Sequence, residues 1–286
     1  MYKTRIFETL KTFMKKILLL ILFSFLQITV FGQDAINFEF SFPENSRFTI
    51  EQKVDNSGTM KITGTKVEME NLKKSGYNAD RKLKYLMNYS SEYTTGERTS
   101  DNFSFEFFYS NVSFDIDSDG KKQNREWAFP SVILKAGIIN GKLAVIQSAK
   151  TGSSSQDQFI NSLPRYFTTD FPKINNLKIG ESFIVKRIAN NQTEGYSFSG
   201  NLKYTLKKIE NELAYFSISV IVKNYPESTL NSSGNGTGEM IYNHKDKFIQ
   251  SEKIKINLSS SQNKTVNITA TNVIISTYEL KNLVRN

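Results

Sequence analysis

The densest set of metal-ligand chemistry in the sequence is DIDSDGKKQNRE, residues 115–126. Asp115, Asp117, Asp119, Gly120 and Glu126 satisfy D-x-D-x-D-G-x5-E in full. In a calcium loop of that spacing, alternate carboxylates converge on one hard cation, the glycine permits a sharp turn, and the twelfth residue returns two more oxygens. Two features oppose this reading. Both flanks read as strands where such a loop needs helices, and Lys122 stands where an apolar residue normally packs. Lys121, Lys122 and Arg125 also bring positive charge beside any cation. The competing reading is a β-turn with Asp119-Gly120 at its tip, and the flanks favour it. Calcium is the only cofactor the sequence suggests.

Other reactive groups are sparse. The chain has no cysteine and one histidine, which excludes disulfides, thiolate nucleophiles, Cys-ligated metal and any site needing two imidazoles. His244 is followed by Asp246, a pairing that can orient a base, but no nucleophile motif accompanies it and HKDK reads as a turn between strands. Catalysis by paired carboxylates needs neither His nor Cys and stays open. Gly234, Gly236 and Gly238 lack the strand–loop–helix setting of a phosphate cradle. On a strand they leave one face bare, so that a bulky neighbour such as a helix or an aromatic ring can approach it.

Aromatic side chains are the remaining lead. Tyr85, Tyr89 and Tyr93 recur on the odd-numbered face of one segment, and Phe103, Phe105, Phe107 and Tyr109 make a fully aromatic face on the next. The ordinary reading is core. The functional one is an apolar cavity for a lipid-like ligand, with Tyr85, Tyr89, Phe103, Phe105 and Phe107 as its lining.

The elements carrying these residues are strands. Period-2 alternation marks Ile36, Phe38, Phe40 and Phe42; Phe48, Ile50 and Val54; and Val112, Phe114 and Ile116. Asn140-Gly141 between Ile138–Ile139 and Leu143–Ile146 predicts a two-residue hairpin. Further strands are expected over 183–188, 196–206, 213–222, 236–243, 248–258 and 266–280. A single helix is expected near 153–167, with Ser153–Ser155 as caps, Asp157 in its first turn and Pro164 at its end or kink. The fold class is therefore mainly β: a large curved antiparallel sheet, half-barrel-like or as two packed sheets, with one helix. RKLKYLMNY (81–89) resembles GNLKYTLKK (200–208), and RFTIEQKV (47–54) resembles SFIVKRI (182–188). These echoes raise the option of two related halves, 34–150 and 175–286, around the helix.

At the N-terminus, Lys15-Lys16 followed by the apolar run Ile17–Phe31 and the small Gly32 has the three parts of a secretory leader. Residues 1–33 are assigned to it, with Met14 as an alternative start. The apolar run is shorter than the roughly 20 residues of a membrane-spanning helix, so no anchor is expected after cleavage. Removing it takes away Lys3, Arg5, Lys11, Lys15, Lys16 and Glu8, and lowers the net charge from +9 to +5. No basic run remains, which argues against nucleic acid as a partner.

The leader ending VFGQ, DFPKINNLKIGESF (170–183), NLKYTLKKIENELAYFSI (201–218) and SGNGTGEMIYNHKDKFIQSEKIKI (233–256) together resemble a family of secreted β-rich domains of unknown function common in Bacteroidetes. The resemblance implies export and carries over no activity and no functional residue. The resulting expectation is an exported, periplasmic or extracellular, non-enzymatic binding module of the cell envelope, for an apolar ligand or a partner protein. The alternatives are an interaction protein with a filled core and a carboxylate-dependent enzyme.

Overall fold

The computed structural model describes residues 34–99, 102–126, 134–139, 142–148, 150, 152–153, 157, 171–191, 196–224, 231–263 and 266–285. The leader, the Asn140-Gly141 turn and most of the helix expected near 153–167 lie outside these. Of that helix, the Asp157 N–H donates to the Ser153 carbonyl at 2.9 Å, the bond that opens a helical turn.

Two sheets account for the described strands. β1 (Ala35–Phe38) pairs with β8 (Ile174–Lys178). The large sheet begins with β2 (Ser46–Thr63), β3 (Asp80–Arg98), β4 (Asn102–Ser118), β5 (Lys121–Glu126), β6 (Leu134–Ile139) and β7 (Lys142–Ser148). It continues with β9 (Ser182–Asn191), β10 (Tyr196–Glu210), β11 (Leu213–Asn224), β12 (Asn231–Asn243), β13 (Phe248–Asn263) and β14 (Asn267–Arg285). Its order is β7-β6-β4-β3-β2-β14-β13-β12-β11-β10-β9, with β5 beside β4, and every pairing is antiparallel. The sheet is open: β7 and β9 end it and do not pair with each other. Ile139 pairs with Lys142 around the predicted two-residue turn.

Register puts the apolar parity of each strand on one face. Phe48 lies opposite Tyr93, Tyr93 opposite Phe107, and Phe107 opposite Leu134. All four are at most 8% exposed. On the other flank Val185, Leu202, Val220, Gly236 and Ile256 are successive cross-strand partners. This inward face curls on itself. Arg187 on β9 and Glu252 on β13 are four strands apart, about 19 Å in a flat sheet, yet their side chains meet at 3.0 Å.

Glycine allows the curl. A Cβ on Gly234, Gly236 or Gly238 would run into the carbonyl oxygen of Asn257, Lys255 or Lys253 on β13. The bare face anticipated from these glycines is thus filled by the backbone of the adjacent strand, rather than by a helix or an aromatic ring.

The N-terminal segment Ala35–Phe42 straps the inward face. Ile36 and Phe38 are 2% and 0% exposed. Phe38 packs on Phe183 and Tyr242 at ring-centroid distances of 4.6 and 4.7 Å. Phe42 reaches Phe248, Tyr93 and Phe105 at 5.8–6.2 Å. Polar bonds pin the strap: the Tyr242 hydroxyl donates to the Glu39 carbonyl at 2.7 Å, and the Glu39 carboxylate pairs with Lys247 and Lys173 at 2.8 and 3.0 Å.

The helix seen among the described residues is α1 (Lys66–Lys74), between β2 and β3. Apolar periodicity does not predict it, because it buries no residue. Its signal is a capping box: the Glu68 N–H donates to Thr65 Oγ1, and the Thr65 N–H donates to Glu68 Oε2 at 2.7 Å.

Candidate functional site

The inward face has a filled end and an unfilled stretch. At the filled end Phe103, Phe105 and Phe107 are 2%, 5% and 2% exposed. They pack with Phe48, Tyr93, Phe248 and the strap, so these three proposed lining residues are core. Tyr85 and Tyr89 lie further along β3 and are only half-buried.

Beyond them the face is mostly apolar and only partly buried. Phe114, Met87, Val54, Ser276 and Ile254 form one row of cross-strand partners. Ile116, Tyr85, Asn56, Ile274 and Ile256 form the next. Of these ten, only Phe114 and Ile254 are buried, and Ser276 is exposed although it points inward. The Asn56 Oδ1 is buried and has no hydrogen-bond partner among the described residues. A row of half-covered aliphatic and aromatic side chains beside an unsatisfied amide oxygen is chemically suited to the chain and polar group of an amphiphile.

A charged network flanks this stretch. Glu252 accepts from the Tyr204 hydroxyl at 2.7 Å and from Arg187 Nη1 and Nη2 at 3.0 and 3.2 Å. Arg187 Nη2 also donates to the Tyr204 oxygen at 3.0 Å, and the guanidinium stands 5.8 Å from the Phe171 ring centre. Burial raises the Tyr204 phenol well above its ordinary range, and the Glu252 charge adds to the rise. Burial also raises Tyr278 and Tyr93, and pushes Tyr242 up to about 12. These phenols are therefore neutral groups. Neither Arg187 nor Glu252 stood out in the sequence, because 65 residues separate them and only the curl joins them.

The acidic motif is a hairpin. Ser118 pairs with Lys121 around Asp119 and Gly120, whose φ angles of 55° and 82° are those of a type I′ turn. Asp115 Oδ1 accepts from Asn124, and Asp117 Oδ1 accepts from the Gly120 N–H. Asp119 accepts from the Lys82 N–H at 2.7 Å; that bond, with Asn78 and Arg81, holds its carboxyl below the ordinary range. Glu126 pairs with Ser113, about 17 Å up the strand from the turn. The four carboxylates do not converge, and no group of three or more metal-ligating side chains occurs among the described residues.

His244 and Asp246 sit in the turn between β12 and β13 and engage different partners. His244 Nε2 lies 3.0 Å from the Asn211 carbonyl, and Asp246 pairs with Arg285. Among the described residues no helix is long and apolar enough to cross a membrane.

No protein-family model matches the chain, and no curated protein matches it. Among solved structures, one described as lipid–protein interactions in lipovitellin aligns over 85% of this chain at 8% sequence identity, with a TM-score of 0.47. The chain spans 26% of that structure's length.

Proposed function

We propose that this chain is an exported, non-enzymatic module of the cell envelope that holds an apolar, lipid-like ligand along the unfilled stretch of its inward face. One observation carries the reading: Val54, Met87, Tyr85, Ile116, Ile256 and Ile274 form contiguous inward rows that are only partly buried, with Ser276 exposed among them. Water against such a surface is unfavourable, and an acyl chain displaces it at a gain of about 0.8 kcal/mol per buried methylene. The ionisable groups on this face bond to each other, as expected of a holder rather than a catalyst. Export rests on the leader pattern of residues 14–33.

The test is native mass spectrometry of protein extracted gently from its own envelope, joined to binding of an environment-sensitive apolar dye. The expected result is a mass lacking the leader and carrying a lipid-sized increment, with dye binding weakened by Val54→Lys or Met87→Glu. A bare mass together with dye binding indifferent to both substitutions would overturn the proposal.

A further inference from the structure

The partly buried inward rows have one closed end and one open end. The central row runs Gln123, Ile116, Tyr85, Asn56, Ile274 and Ile256 as successive partners from β5 to β13. Past β13 it continues through Gly236 to Val220, which is 2% exposed, so core closes that end. At the other end β5 pairs with β4, and every residue of β5 is exposed. Alternation sends Lys121, Gln123 and Arg125 to the inward face and Lys122, Asn124 and Glu126 to the outward one. Arg125 lies opposite Phe114, and Lys121 lies opposite Ser118, itself the partner of Leu83. Two cations therefore flank the mouth of the central row, and Leu83, two strands in from Lys121, is 42% exposed.

Charge on this face is one-sided. The three rows headed by Arg125, Gln123 and Lys121 contain no carboxylate as far as β13. The nearest inward one, Glu252, lies one row over and is taken up by Arg187 and Tyr204. Asp115 and Asp117 alternate with Ile116 to the outward face, where they accept from Asn124 and from the Gly120 N–H. Asp119 in the turn pairs with Arg81. Arg125 Nη2 donates to Gln123 Oε1 at 3.1 Å, which leans the guanidinium toward the central row. Among the described residues neither Arg125 nor Lys121 makes an ion pair. Asn56, three strands in from β5, offers a buried acceptor oxygen, which suits no anion. A negative group is therefore disfavoured along the rows and favoured at β5, where it also keeps contact with water.

We infer, resting on the apolar ligand proposed above, that this ligand is an anionic amphiphile, its head held by Arg125 and Lys121 on β5 and its chain lying across the strands toward β13. From β4 to β13 the sheet spans about 19 Å, the reach of a long acyl chain. The test displaces the apolar dye from the full exported chain with dodecanoate, dodecyl maltoside and dodecyltrimethylammonium, each below its micelle concentration and at low salt. Dodecanoate should bind about fivefold or more tightly than the other two, and added salt should narrow the gap. Lys121→Glu or Arg125→Glu should each weaken dodecanoate about two- to fivefold and strengthen the trimethylammonium probe. Lys122→Glu, one residue away on the opposite face, should leave both nearly unchanged. All three side chains are exposed, so unchanged denaturation midpoints will show that the variants fold. Equal displacement by the three amphiphiles, or equal effects of Lys121→Glu and Lys122→Glu, would overturn the inference and leave the apolar reading standing. Reversals that leave binding alone and promote self-association would overturn it too, the cations then guarding a free sheet edge. Displacement by none of the three would overturn both.

Discussion

Glu252 occupies an inward position of β13 and is 11% exposed at its side chain. A carboxylate there is tolerable only because Arg187 and Tyr204 complete its hydrogen bonds, since a buried pair seldom gains more from attraction than it loses in desolvation. Arg187→Met should therefore cost about 1–3 kcal/mol, chiefly by stranding Glu252. Arg187→Met with Glu252→Leu should recover part of that loss, giving a coupling of about 0.5–3 kcal/mol in a denaturant double-mutant cycle. A coupling near zero would mean the network does not hold the curl. Glu39 gives a pH counterpart. Its hydrogen bonds to Lys247, then Lys173, hold its carboxyl below the ordinary 4.5. A depressed folded value means that its contribution is present above the unfolded value and is lost as pH falls through the folded one. The melting-temperature difference between wild type and Glu39→Gln should thus be present near neutrality and vanish in acid below that lowered value. High salt should shrink it, because the carboxylate is about a third exposed. At this scale the strap was legible as alternating Ile36, Phe38, Phe40 and Phe42, because period-2 spacing is local. The Arg187–Glu252 bond was not, because it depends on a bend between distant strands.

The bend is a property of β12 and β13. Gly234, Gly236 and Gly238 were readable as a bare strand face, but what approaches them depends on how far the sheet closes. Two glycine substitutions separate close approach from mere strand propensity. Gly236→Ala drives a methyl into the Lys255 carbonyl and should cost about 1–3 kcal/mol. Gly200→Ala, also inward, meets Leu202 at an ordinary 3.5 Å and should be neutral or stabilising by up to about 1 kcal/mol. Equal effects in urea titrations would remove the crease as the cause of the curl. The Asp119-Gly120 hairpin was readable from its dipeptide and its strand-like flanks. α1 was not read, although its T-x-x-E box was present, because a helix that buries nothing leaves no apolar period to find.

At the scale of the molecule, β14 is the seam. It pairs with β2 on one side and β13 on the other, so the strands that follow Ser46 and those that follow Ser182 form one sheet. Phe48 stacks on its cross-strand partner Tyr93 at 4.9 Å and 7°, and Phe183 stacks on its partner Tyr204 at 5.1 Å and 10°. Deleting 267–285 should abolish cooperative unfolding of the entire sheet, as followed by circular dichroism during denaturation. A surviving cooperative transition would show that the halves fold independently. Fold class was legible because alternation repeats along nearly every strand. The unfilled stretch was not, because aromatic parity marks a face without saying what covers it. The strap adds a consequence for biogenesis. Glu39 meets Tyr242 across 203 positions of chain, and at roughly 5–20 residues per second of synthesis the first greasy ribbon to leave the ribosome waits on the order of ten seconds or more for its seat to be made. Throughout that interval its apolar side chains have no seat to pack on, so slower synthesis lengthens the time for which they stay uncovered.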